Sequence, residues 1–270
     1  MVEIGTRRGL FDLDLAGVWR YRTLLWFLML RDVRVRYKQA LLGFAWAVLQ
    51  PLMSVVVFTT VFGILAQLPS DGVPYPLFAL CALLPWTLFS EATRRSALGL
   101  VGDAPLISKI YFPRLVVPLA NVLTPVVDFA MGMVVLVPIM AWYGVPPTIN
   151  LLLLPALIVL TVMFGLSVGL WLGPINVRYR DITHTLPVML QLWMYATPIV
   201  YSVSMIPERW HWLYNLNPMV GLIEAFRWSL LGQGELDMPA IATGMVITAA
   251  LLVGGSAFFR RAERVFADIL

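Results

Sequence analysis

Six stretches of this chain are apolar over lengths that only one solvent accommodates. A helix needs about 20 mostly apolar residues to cross the hydrocarbon core of a bilayer. Residues 44–65, 115–143, 151–175, 186–203 and 240–259 come close to that length. A sixth stretch, 73–90, is equally apolar but runs into Glu91, Arg94 and Arg95. It reads as a span whose helix continues past the lipid, with the arginine heads reaching the boundary. The rest of the composition agrees, because a soluble domain carries about 25% charged residues and this one carries 13%, with 60% hydrophobic and a mean hydropathy of +0.84. The 15 acids and 19 bases are too few to clothe a water-soluble surface. The high isoelectric point, about 9.4, would suit a nucleic-acid binder if the apolar content did not exclude one. A single cysteine, Cys81, excludes a disulfide framework, and two histidines leave little for a metal site. The expected fold is therefore an all-α membrane protein with six transmembrane helices and no metal.

The basic residues set its orientation. Arg7, Arg8, Arg20, Arg22, Arg31, Arg34, Arg36 and Lys38 precede the first span, and Arg94, Arg95, Lys109 and Arg114 lie between the second and third. Arg178 and Arg180 follow the fourth, and Arg260, Arg261 and Arg264 follow the sixth. Seventeen bases thus share one side, against Arg209 and Arg227 on the other. Short cytoplasmic loops hold the Lys and Arg excess, so both termini are expected in the cytoplasm. The inner net charge becomes +8 and the outer one −3. No short apolar segment with a small-residue cleavage site opens the chain, so no signal peptide is expected.

Three irregular stretches and one residue need explanation. Residues 11–30 mix Phe11, Leu13, Leu15, Val18 and Trp19 with Asp12, Asp14, Arg20 and Arg22, as an amphipathic helix lying in the membrane interface would. Residues 102–114 are too apolar for a free loop and too short to span; Leu106, Ile107 and Ile110, closed by Pro113, read as a short cytoplasmic helix. That helix either lies on the bilayer or docks a partner. The long outer segment 202–237 holds Trp210, Trp212, Tyr214 and Trp228, then Pro218 and an apolar run. Its residues 220–231 suit a re-entrant or interfacial helix on which Glu224 and Arg227 pair. It is either an aromatic belt or a lid over a pathway. Asp128, finally, sits near the middle of the third span, where a carboxylate is costly without a partner or water.

Two motifs are decoys or absences. Gly165-Leu-Ser-Val-Gly169 matches the nucleophile elbow of serine hydrolases, but that elbow needs a strand-to-helix turn. Gly165, Gly169 and Gly173 instead form a small-residue stripe for close helix packing. Neither lysine, Lys38 or Lys109, follows a glycine, so the chain has no phosphate-binding loop of the Walker type. No catalytic residue stands out, and ATP-driven work would need an ATPase on another chain.

Four ordered motifs carry a resemblance: RDVRVRYKQALLGFAWAVLQP at 31–51, LISKIYFPR at 106–114, NVRYRD at 176–181, and PIVY at 198–201 followed by Asn217-Pro218 and Glu224-Ala-Phe-Arg227. Together they resemble the permease subunits of type-2 ABC exporters, in the polysaccharide and O-antigen branch. The likeness covers nearly the whole chain, with local departures at Gly173-Pro174 and Thr197. It implies a homodimer with two copies of a separate ATPase subunit that binds ATP and Mg, in the bacterial inner membrane, moving a lipid-linked glycan. Residues 1–40 would form a cytoplasmic segment with the interfacial helix, including Arg31, Asp32, Arg36, Tyr37 and Lys38, and residues 41–270 the six-span domain. Asp103, Leu106, Ile107, Lys109, Ile110, Tyr111, Phe112 and Arg114 would belong to a coupling helix seated in the ATPase. Pro207, Trp210, Asn217, Pro218, Glu224 and Arg227 would belong to short re-entrant helices gating the outer exit. Trp46, Phe58, Trp86, Phe89, Trp193, Tyr195 and Tyr201 are candidates to line a sugar path, since aromatic rings offer flat apolar faces with polar edges. The alternatives are export of a drug or another lipid by the same machinery, or a secondary transporter, for which no internal repeat is visible.

Overall fold

The structure is a computed structural model that describes residues 15–38, 45–110, 112–234 and 236–269. Among these it is helical, with no strand. Helices α1 (Leu15–Arg20) and α2 (Arg22–Lys38) precede α3 (Ala45–Phe58), which widens into a π-helical segment, Thr59–Leu65. There follow α4 (Tyr75–Gly102), the single turn α5 (Ala104–Ile107), α6 (Val116–Trp142), α7 (Leu154–Arg178) and α8 (Ile182–Tyr195). Two short 3₁₀ turns lead to α9 (His211–Tyr214), α10 (Pro218–Leu231) and α11 (Met238–Ile269).

Five of the helical segments are long and apolar enough to cross a membrane: Val48–Leu65, Tyr75–Gly102, Val116–Trp142, Ile149–Arg178 and Met238–Glu263. The expected run at 73–90 does continue through its arginines, to Gly102. The run at 186–203 does not form a sixth continuous helix. Helix α8 stops at Tyr195 after 14 residues, roughly 21 Å of rise, and residues 196–202 are irregular. Hydropathy counts apolar side chains and is blind to this break.

Helix α4 is the axis of the bundle. Some 78% of its apolar window is buried against the rest of the chain, whereas the share for Val48–Leu65 at the rim is 6%. The glycine stripe of α7 runs along α4 in step: a Cβ on Gly165 would lie 2.8 Å from that of Ala92, one on Gly169 2.3 Å from that of Ser96, and one on Gly173 3.4 Å from Leu100 Cδ1. The two helices are therefore parallel and their backbones nearly touch, as the four-residue spacing predicts. Helix α6 runs the other way, with Gly132 against Leu84 and Asn121 against Gly99. Helix α11 starts beside α10, where Ala240 meets Gly221, and ends where Glu263 accepts from the Arg114 amide at 3.3 Å. Helices α4, α7 and α11 thus descend from the Tyr75 end to the Gly102 end, while α6 ascends. The chain ascends again between Thr183, which bonds Asn176 at the foot of α7, and Val200, which accepts from Tyr75 Oη at 2.7 Å.

Helix α2 leans on the Gly102 end, where Leu28 shares a buried cluster with Ala92, Leu100, Phe112, Val116 and Phe259. It lacks the single apolar stripe expected of an amphipathic helix: Leu28 and Met29 face the protein, while Trp26 and Phe27 are exposed.

Candidate functional site

The Tyr75 end is closed by α10 and by the irregular stretch after α8. Asn217 is its organising residue. The side chain caps α10 by accepting from Met219 N at 3.1 Å and also accepts from Trp193 Nε1 at 3.0 Å. Its amide nitrogen donates to Thr197 Oγ1 at 3.0 Å. One residue thereby satisfies a helix N-terminus and pins the broken end of α8. At its other end α10 stops on Gly232, whose φ of 67° is the left-handed conformation that favours glycine there. Removing the Asn217 cap and its lateral bonds with alanine is expected to cost about 1–2 kcal/mol, read as a lowered midpoint in thermal unfolding of the detergent-solubilised chain.

Arg227, on the next turns of α10, is almost wholly buried at 6% exposure. It pairs with Glu224 at 2.7 Å, the spacing expected from sequence, and also donates to Ile199 O at 3.1 Å and Phe78 O at 3.4 Å. Its guanidinium lies 3.5 Å from the centroid of the Phe78 ring. Helix α4, helix α10 and the break after α8 therefore meet on one cation. Asp71 adds a second tie by accepting from Ser202 and from Ser204, the latter at 3.1 Å.

Beside this closure is a cavity of about 290 Å³ lined by Trp193, Ala196, Trp210, Leu213, Tyr214 and Asn217. It joins residues expected separately in a sugar path and in a gate. Tyr214 also donates to the Tyr201 hydroxyl at 2.9 Å. Burial, with that hydrogen bond, pushes the Tyr214 pKa well up, so the phenol stays protonated and able to donate. Pro207 lies exposed ahead of the cavity, and Pro218 is buried as the first residue of α10. Sequence reasoning placed Tyr214 in the outer loop without a partner; only the fold brings it to Tyr201.

The proposed path residues separate into two groups. Trp46 and Tyr195 are exposed, and Phe58 packs edge-on against Phe62 at 5.8 Å. Trp86 and Phe89 are core residues, at 4% and 0% exposure. Phe89 stacks on Phe164 at 4.7 Å, with Trp193 edge-on at 5.0 Å. Rings engaged inside their own bundle do not line a path, which corrects the expectation for Trp86 and Phe89. Trp193 is on the margin, with its ring in the cluster and its Nε1 turned to Asn217.

At the Gly102 end, the helix expected over 103–112 is one turn, α5, followed by bends. Leu106 and Ile107 are half-buried beside the α2 cluster, Lys109 and Ile110 are exposed, and Phe112 is buried. Tyr111 and the Lys38 side chain lie outside the described residues, as do residues 11–14. Asp103 precedes α5 and accepts from Arg31 at 2.7 Å, while Asp32 accepts from the same guanidinium at 2.9 Å. Burial works against the Arg31 charge, but its two carboxylate partners outweigh it and raise its pKa. Arg114 binds both the Glu263 carboxylate and its backbone carbonyl, tying the residues before α6 to the end of α11. Further along α2, Arg36 and Tyr37 both bond Asp128 of α6. The costly mid-span carboxylate therefore has partners, on the N-terminal helix.

With this geometry in place, comparison with known proteins decides the family. Residues 23–231, from α2 through α10, match the ABC-2 type transporter family. The chain belongs to it. Among its relatives is an O-antigen export system permease protein, RfbA, of Klebsiella pneumoniae, 30% identical over 247 residues, covering 89% of this chain and 92% of that protein. The RfbA of Myxococcus xanthus is 28% identical over 93% of this chain and 96% of its own length. The polysialic acid transport protein KpsM of Escherichia coli is 23% identical over 87% and 92%. An ABC-2 chain of this kind is the membrane subunit of its transporter, and the cation-pinned closure at one end and the exposed turn at the other are parts of that subunit.

Proposed function

We propose that this ABC-2 subunit exports a lipid-linked polysaccharide across the bacterial inner membrane, as a homodimer driven by two copies of a separate ATPase subunit that binds ATP and Mg. The observation that carries the reading is likeness over about nine-tenths of the chain to permeases whose names specify O-antigen export. The aromatic cavity at Trp193, Trp210 and Tyr214 supports it, since such walls accept sugar rings without fixing them. In this reading the chain crosses six times, the fifth crossing being α8 together with the irregular residues 196–202. Both termini and α5 then lie in the cytoplasm, consistent with seventeen bases on that side. The coupling segment is Asp103 through Arg114, with Lys109 and Ile110 presented to the ATPase. The α9–α10 segment is the outer gate.

Deletion of the gene is expected to abolish surface glycan and leave its lipid-linked precursor inside the cell. A tagged chain is expected to co-purify with a Walker-motif ATPase. Full glycan export by the isolated chain without an ATPase would overturn the reading. Lys109→Glu tests the coupling role: export should fall at least tenfold while the chain still inserts and dimerises. Export at the wild-type rate, with glycan-stimulated ATP hydrolysis intact, would remove Lys109 from the contact.

A further inference from the structure

A second cavity, about 420 Å³, opens at the Gly102 end between α2, α4 and α6. Its polar lining is Arg31, Asp32, Arg94, Arg95, Asp103 and Asn121. The charges are sorted into two walls. On α4, Arg94 and Arg95 share one carboxylate, Glu91, at 2.7 and 3.3 Å. On the α2 side one guanidinium, Arg31, is shared by Asp32 and Asp103, at 2.8 and 2.7 Å. One wall is cationic and the other anionic, each by one charge.

Asn121 lies between them. It is 5% exposed, and its side chain is part of the cavity lining. The position is specifically accommodated: a Cβ on Gly99 would sit 1.8 Å from the Asn121 amide nitrogen.

Depth identifies the partner. Arg94 lies nineteen residues beyond Tyr75 on α4, about 29 Å of helix, and the hydrocarbon core is about 30 Å thick. The cavity is therefore level with the lipid headgroups. The neighbouring α1 and α2 expose Trp19 and Trp26 respectively, side chains favoured at that level.

We propose that this cavity seats the headgroup of a zwitterionic membrane phospholipid as a bound component of the subunit. The phosphate faces Arg94, Arg95 and the Asn121 amide, whose donors suit its oxygens; the ammonium faces Asp32 and Asp103. The inference rests on the membrane placement above and not on what is exported.

The test is native mass spectrometry of the full-length chain, released from detergent after incubation with phosphatidylethanolamine, phosphatidylglycerol or inorganic phosphate. The wild type should retain one phosphatidylethanolamine per chain, at least tenfold over phosphatidylglycerol. Arg94→Gln with Arg95→Gln should reduce retention at least tenfold. Leu98→Trp, which fills the cavity and leaves every charge in place, should do the same, and Arg209→Gln should not. Unchanged retention in both cavity variants would overturn the proposal, as would equal retention of phosphatidylglycerol. Displacement of the lipid by millimolar inorganic phosphate would overturn the lipid source. Because the assay reads no transport, a failure of the export reading leaves its result unaffected.

Discussion

Replacing Arg227 by alanine is expected to unfasten the Tyr75 end and abolish export. The cation is 6% exposed and holds Glu224, two backbone carbonyls from α4 and the stretch after α8, and the Phe78 ring. Taking one partner from a buried ion pair costs about 3–5 kcal/mol, chiefly through the groups left unpaired. Arg227→Lys should recover only part of this, because an ammonium cannot reproduce the planar fork that addresses three acceptors at once. Two measurements check it. Unfolding of the purified chain should show the loss of stability, and a cysteine placed at Ser204 should gain reactivity towards an impermeant thiol reagent. Wild-type stability in Arg227→Ala would mean that the contacts at this end do not depend on the cation.

The second large effect belongs to the α4–α7 contact. Gly169→Ala places a methyl carbon 2.3 Å from Ser96 Cβ and Oγ, with no other atom closer than 3.4 Å. Overpacking of a rigid contact costs about 1–3 kcal/mol and at times more, and two helices in register along their length have no direction in which to yield. Folded protein recovered from membranes should fall severalfold. Ser96→Gly in the same chain removes both clashing atoms and should restore it, with no hydrogen bond lost, since Ser96 Oγ is buried without a partner. Gly173→Ala, whose nearest neighbour is Leu100 Cδ1 at 3.4 Å, should be tolerated. If Ser96→Gly fails to rescue Gly169→Ala, the helices do not pack in this register.

What the sequence discloses here follows from how local each determinant is. The long apolar helices, the continuation of α4 through Arg94 and Arg95, the Glu224–Arg227 pair and the glycine stripe all depend on spacings within one helix. The break after Tyr195 does not, because it is held by Asn217 and Arg227 from later in the chain. The burial of Trp86 and Phe89 was equally hidden, since in an apolar medium an aromatic ring suits lipid, lumen and core alike. Asp128 announced that it needed a partner; that Arg36 and Tyr37 supply it depends on where α2 leans.

In the six-crossing reading proposed above, the short ascent through α8 bears on how the chain is made. Fourteen helical residues fall short of the roughly 20 that hold a segment in the bilayer by themselves, and the exposed carbonyls and amides after Tyr195 have no place in lipid until protein shields them. Their shielding comes from Asn217 and Arg227, which are synthesised later. During translation this segment must wait, sheltered by the insertion machinery or by the finished α4–α7 pair, until α10 emerges. Substitutions that weaken α10 would then appear first as misinserted chains cleared by proteases, before any loss of transport per folded molecule could be measured.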